Sequence, residues 1–164
     1  MVLECDVDAA WALVEDYAND HHWRSGLVEH RSSTPLPVMG TEVVQTMRVG
    51  RTLSRLETTV VEVGERWYRF IGSGHSGPIS GERRVEAAGT HSRFTFTVRL
   101  DLRGWYAVVA PAVRWSVDRQ MRADLGRLAA VAPDLVGNGR MSAGPELQAG
   151  VPVVAALAPV VAAL

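Results

Sequence analysis

Between Ser92 and Leu102 the side chains alternate without exception: Phe94, Phe96, Val98, Leu100 and Leu102 fall on one side, Arg93, Thr95, Thr97, Arg99 and Asp101 on the other. A period of two puts these sets on opposite faces of a β-strand, one wet and one dry. Each apolar side chain contributes roughly 1.5–3 kcal/mol when it leaves water, so the chain has to cover that face. The cover is at hand in Pro111–Ala132, where Val113, Val117, Met121, Leu125, Leu128 and Ala132 recur at spacings of three or four. Arg114, Asp118, Arg119, Arg122 and Arg127 lie elsewhere on the same helical wheel. The pattern is that of an amphipathic helix built to lie against a sheet. Pro111 suits a first helical turn, and Pro133 is expected to end the helix.

The other elements follow from local signals. Asp6 or Asp8 can cap a helix through Ala9–Tyr17, and Asn19–Trp23 reads as a second short helix or turn. Gly26–Arg31 is a plausible strand, followed by a loop held by Pro35 and Pro37. Alternation resumes at Thr41–Val49, Gly50-Arg51 can turn the chain, and strands are expected over Thr52–Val63, Trp67–Ile71 and Glu82–Ala87. The glycines of Gly72–Gly81 predict a mobile hairpin loop. Short connections between successive strands imply an antiparallel sheet.

At 164 residues, 47% hydrophobic and with a net charge of −1, the chain has the makings of one soluble domain. The arginines are scattered among matching acids, which argues against a nucleic-acid partner. All 17 basic residues are Arg. Without a lysine there is no Schiff base and no phosphate-loop lysine. The single Cys5 rules out an internal disulfide and a multi-cysteine metal site, and it fits a reducing cytoplasm. Glu4, Asp6 and Asp8 interrupt any signal-like apolar run. After Pro133 the texture changes to a loop-like stretch and two copies of a Pro-Val-Val-Ala-Ala-Leu block, at 152–157 and 159–164 without the intervening alanine. This apolar length falls short of the roughly 20 residues that span a bilayer. Residues 133–164 are therefore expected to be a tail, not an anchor, that could dock on the domain, on a second copy in a homodimer, or across a pocket mouth.

The succession resembles the START-like helix-grip superfamily (SRPBCC), in its bacterial polyketide cyclase/dehydrase and lipid-transport branch. It is carried by Val7–Asp16 leading to Trp23, Gly40-Thr41 after a proline loop, Gly50-Arg51, Ser76-Gly77-Pro78, Gly89-Thr90, Gly104 and the helix from Pro111 to Leu128. The likeness covers residues 6–132, within a domain taken as 1–132. It implies an α+β fold in which a curved antiparallel β-sheet wraps around a long C-terminal helix, with two short helices near the N-terminus. The family's full first strand has only a few residues here, so either the sheet is short on one edge or the chain starts upstream.

The resemblance also implies a cavity for a small apolar or aromatic molecule, with no cofactor. Many bulky aromatics, Trp11, Trp23, Trp67, Tyr68, Phe70, Phe94, Phe96, Trp105, Tyr106 and Trp115, are available to fill the core or to line such a space. Gln45 shares the register of Val43, Met47 and Val49, so its amide should point inward and need a partner. Tyr68 and Arg83 are weaker polar candidates, because arginine usually takes the solvated face. The expected ligand contacts are Gln45, Met47, Tyr68, Phe70, Arg83, Phe96, Val113, Val117 and Met121. His75, which the resemblance puts at the cavity mouth, and Tyr68 are the candidate proton-moving groups. Adjacent His21 and His22 cannot readily share a metal, so no metal site is expected. Glu57, Glu62 and Asp101 should pair with nearby arginines in solvent. Three functions are compatible with this pattern: a carrier of a hydrophobic molecule, a polyketide cyclase/aromatase-like or dehydratase enzyme, and an interaction module for a protein or membrane surface.

Overall fold

The structure, a computed structural model, describes residues 1–49 and 52–137. Strands β1 (Val2–Leu3), β2 (Leu27–Ser32), β3 (Glu42–Val49), β4 (Thr52–Gly64), β5 (Trp67–Gly74), β6 (Gly77–Ala88) and β7 (His91–Leu100) form one sheet. Its order is β1-β7-β6-β5-β4-β3-β2, antiparallel throughout. Helix α1 (Val7–Glu15), a 3-10 turn (Tyr17–Asn19) and α2 (Asp20–Trp23) connect β1 to β2. After β7 come α3 (Trp105–Val108) and the long α4 (Ala110–Gly137). This is the helix-grip arrangement expected from the sequence.

Asp6 caps α1, its Oδ1 accepting from Asp8 N at 3.0 Å and Ala9 N at 2.9 Å. The buried face of α1 is Ala10, Leu13 and Val14. These pack with Leu3, Trp23, Phe94, Leu128, Ala132 and Leu135 into the main core. Only the C-terminal half of α4 takes part in that core. The stripe read from the sequence is thus divided lengthwise: Leu128 and Ala132 close against α1, Leu3 and Phe94, while Val113, Val117 and Met121 face open space.

The structure corrects several expectations. Pro133 lies inside α4, which runs on to Gly137. Ala132 at 1% exposure and Leu135 at 8% flank the proline in the core, and their burial holds the helix through one missing hydrogen bond. The glycine-rich stretch is not a loop, since Gly72–Gly74 belong to β5 and Gly77–Gly81 to β6, leaving only His75 and Ser76 to turn. The glycines are there for close approach: a Cβ on Gly72 would overlap the Glu57 carbonyl, and one on Gly81 would overlap Thr97 O and the Phe70 ring. Gly72→Ala is accordingly expected to cost about 1–3 kcal/mol in a denaturant titration; an unchanged midpoint would show that the strands can separate freely there.

At one edge of the sheet β1 pairs only Val2 with Arg93 and Leu3 with Ser92, so the sheet is short there. β7 ends at Leu100, two residues before the alternation does. Trp115 stands 63% exposed on α4, outside the core, with Arg119 over its ring at 5.4 Å. Glu57, Glu62 and Asp101 do pair with Arg55, Arg69 and Arg103 at exposed positions. The turn at Gly50-Arg51 and most of the 133–164 tail lie outside the described residues.

Candidate functional site

Between the inner face of the sheet and the N-terminal half of α4 is a cavity of about 490 Å³. Strand alternation explains its sheet-side wall: Val43, Gln45 and Met47 on β3, Phe96, Val98 and Leu100 on β7, all in the inward register. Val113, Val117 and Met121, at successive turns of α4, supply the opposite wall. Gln45, Met47, Tyr68, Phe70, Arg83, Phe96, Val113, Val117 and Met121 therefore line one space, and His75 joins them. Of the other aromatics, Trp23 and Tyr106 also line it, whereas Trp11, Trp67, Phe94 and Trp115 do not. One end is closed by Trp23, Tyr17, Tyr68 and Arg83, none more than 5% exposed. At the other end Leu53 and His75 are exposed, which makes this the mouth. The His75 ring there meets Tyr106 edge-on, centroids 5.7 Å apart.

The closed end is polar. Asp20, fully buried, accepts Arg83 Nη1 at 2.9 Å and Nη2 at 2.6 Å, and Arg24 Nη1 at 3.0 Å. Arg83 Nη1 also donates to Val14 O at 2.9 Å, and its guanidinium carbon lies 5.0 Å from the Phe96 ring centre and 5.4 Å from that of Trp23. Burial opposes the charge on Asp20, but Arg83 and Arg24 outweigh it and hold the carboxyl below its ordinary range. Burial likewise opposes the charge on Arg83, and Asp20 more than restores it. The expectation that arginine seeks the solvated face fails at Arg83 because a buried carboxylate and aromatic rings replace the water.

From this pair a chain of bonds runs outward. Arg24 Nη1 donates to Gln45 Oε1 at 3.0 Å, and Gln45 Nε2 lies 3.2 Å from His30 Nδ1. The inward amide of Gln45 is thus satisfied by the protein. Because its oxygen accepts, its nitrogen donates, which makes His30 Nδ1 an acceptor and assigns the ring proton to Nε2. That nitrogen is buried and has no partner among the described residues. Burial above all, reinforced by Arg83 and Arg24 against the pull of Asp20, depresses His30 to about 4. Burial also raises the phenols of Tyr17 and, further, Tyr68. Near neutral pH these groups keep one protonation state: Asp20 charged, His30 neutral, both phenols intact.

On the α4 side Asp124, 5% exposed, lines the same cavity. Its Oδ1 accepts Ser25 N at 3.0 Å, Ser25 Oγ at 2.8 Å and Gln120 Nε2 at 2.9 Å, joining α4 to the residue after Arg24.

Asp20, Arg24, His30 and Asp124 are among the site residues that sequence reasoning passed over, as is Tyr17. Asp124 carried a signal: spacings of three from Met121 and four to Leu128 put it on the apolar stripe. Arg83 carried one too, sharing the parity of Ile79 and Val85 in β6. Among the described residues no three His, Cys, Asp or Glu side chains come together as a metal site, and no helix is long and apolar enough to cross a membrane.

A sheet gripping a long helix around a cavity defines the helix-grip class. The chain belongs to the polyketide cyclase / dehydrase and lipid transport family, whose model matches residues 1–133. Solved structures share the fold at low identity. TTHA0849 from Thermus thermophilus is 12% identical with a TM-score of 0.71, covering 82% of this chain and 94% of its own. The Zhui aromatase/cyclase from Streptomyces sp. R1128 is 14% identical with a TM-score of 0.64, covering 83% and 92%. A START superfamily protein from Mycobacterium smegmatis is 11% identical with a TM-score of 0.61, covering 82% and 94%. No curated protein sequence matches the chain.

Proposed function

We propose that the chain holds a small, largely apolar molecule between the sheet and α4, without covalent chemistry, as a soluble binding protein of a bacterial cytoplasm. The observation that carries this reading is the cavity itself: about 490 Å³ left unfilled although many aromatic side chains are available to fill it. An apolar wall with a few fixed polar groups at one end is the usual form of a small-molecule site. Val117 and Met121 face this space from α4. Val117→Trp or Met121→Trp should place an indole in the cavity and weaken the uptake of naphthalene by more than about ten-fold, or about 1.4 kcal/mol, in calorimetric titration. Unchanged uptake in a variant that remains folded would argue against the cavity as the binding site.

A cyclase-like catalyst is the second reading. It is favoured by the meeting of Gln45, Tyr68 and Arg83 in one cavity and by the cyclase/dehydrase family. His75 lines the exposed mouth, and His30 is depressed to about 4. The closed end therefore presents fixed hydrogen-bond donors without a group poised to move a proton near neutrality. Electrostatic positioning of a carbonyl is the chemistry such donors could supply, and binding remains the reading with fewer requirements.

A further inference from the structure

Two polar groups that line the cavity, Arg24 and Asp124, have bonding capacity that the protein leaves unused. Arg24 is 8% exposed. Its Nη1 is fully engaged by Asp20 and Gln45, but Nη2 reaches only the thioether of Met47, at 3.4 Å. A thioether is a weak acceptor, and Nε takes no bond among the described residues, so the Nε/Nη2 edge of this guanidinium is available to an oxygen. Asp124 has the opposite need. All three of its donors converge on Oδ1, and Oδ2 takes none among the described residues. Asp124 and Arg24 both line the cavity, and no ion pair joins them. Ser25, the neighbour of Arg24, holds the Asp124 carboxylate by its backbone and its hydroxyl, which fixes the two groups relative to each other.

Resting on the binding function proposed above, we infer that the ligand's polar end is a neutral group presenting an acceptor and a donor together, a carbonyl oxygen toward Arg24 and an N–H or O–H toward Asp124 Oδ2. Primary amides and hydroxy-carbonyl compounds have this form. Simple esters have only the acceptor, and hydrocarbons have neither. A carboxylate would satisfy Arg24 but present an acceptor to an acceptor at Asp124. The charges agree with a neutral head group, since Arg24 and Arg83 are balanced by Asp20 and Asp124 around the cavity.

The test uses the full chain and three probes with one apolar body: 1-naphthamide, methyl 1-naphthoate and naphthalene, each titrated calorimetrically. The expected order of affinity is amide, ester, hydrocarbon, with the amide ahead of the ester by about ten-fold or more, the range of a hydrogen bond to a charged acceptor. Asp124→Asn keeps an oxygen for Ser25 and Gln120 but turns the free acceptor into an amide nitrogen, so the amide-to-ester ratio should fall toward one while circular dichroism shows a folded chain. Arg24→Gln should lower the ester-to-hydrocarbon ratio in the same way. Equal binding of all three probes by the natural chain would overturn this inference and leave the apolar cavity standing. Failure of all three, naphthalene included, would overturn the binding function and the inference with it. An amide-to-ester ratio unchanged by Asp124→Asn would also overturn the assignment.

Discussion

Asp20→Asn is expected to destabilise the fold by about 3–5 kcal/mol, the usual cost of removing one partner from a buried ion pair. The substitution keeps size and shape but removes the one buried carboxylate that Arg83 and Arg24 share. Arg83, 2% exposed and stacked among Trp23, Tyr68 and Phe96, would keep its charge with no carboxylate beside it. The same reasoning makes the pair a poor device for stability as such, since replacing all its members by packed apolar groups can be neutral or favourable. What the ion pair supplies is position: it ties α2 to β6 and, through Val14 O, to α1 at the closed end of the cavity. Urea denaturation of the variant measures the loss, and a value under about 1 kcal/mol would mean that the pair behaves like a solvated surface bridge.

The second large effect is a dependence on acid. His30 is depressed to about 4 in the folded chain, against about 6.5 for an unperturbed histidine. On acidification the unfolded chain takes up this proton first, so protons favour unfolding. The stability associated with neutral His30 is fully present above about pH 6.5 and is lost progressively down to about pH 4, for a total of about 3 kcal/mol. Asp20 continues the trend at lower pH. Its folded value lies below the ordinary one, so its contribution is present above the carboxylate range and disappears as the pH falls through it. Urea midpoints between pH 7 and pH 4 should therefore decline steadily, and His30→Gln should remove most of that slope. A slope that survives the substitution would place its origin in another group.

How far the sequence reveals this arrangement depends on the kind of signal each part leaves. β7 was legible because one wet and one dry face force a strict period of two, and α4 because its stripe has to cover that face. The ends of such elements were less so. Pro133 is a strong local stop, yet Ala132 and Leu135 are buried on either side of it, and tertiary packing overrides the local cost. The glycines at 72 to 81 read as a loop because glycine is common there. Their role in crossing points of adjacent strands depends on register, which no local pattern shows. The apolar faces followed from periodicity and Gln45 from its inward parity, whereas the cavity between those faces was implied by the resemblance. The polar end did not follow in this way, for a physical reason. Asp20 lies in a helix of four residues, too short to show a period, and its partner Arg83 is 63 positions away. A buried charge is intelligible only once its counter-charge has been brought beside it, and that is a product of the fold.

The proposed binding function requires a cavity that takes up one small apolar molecule between sheet and helix, and native mass spectrometry of the freshly expressed chain tests that most directly. The predicted result is one added mass per chain, either a molecule carried through purification or naphthalene supplied afterwards, which collisional activation releases and which Val117→Trp does not retain. A spectrum of the bare chain alone, unaltered by saturating naphthalene, would contradict it.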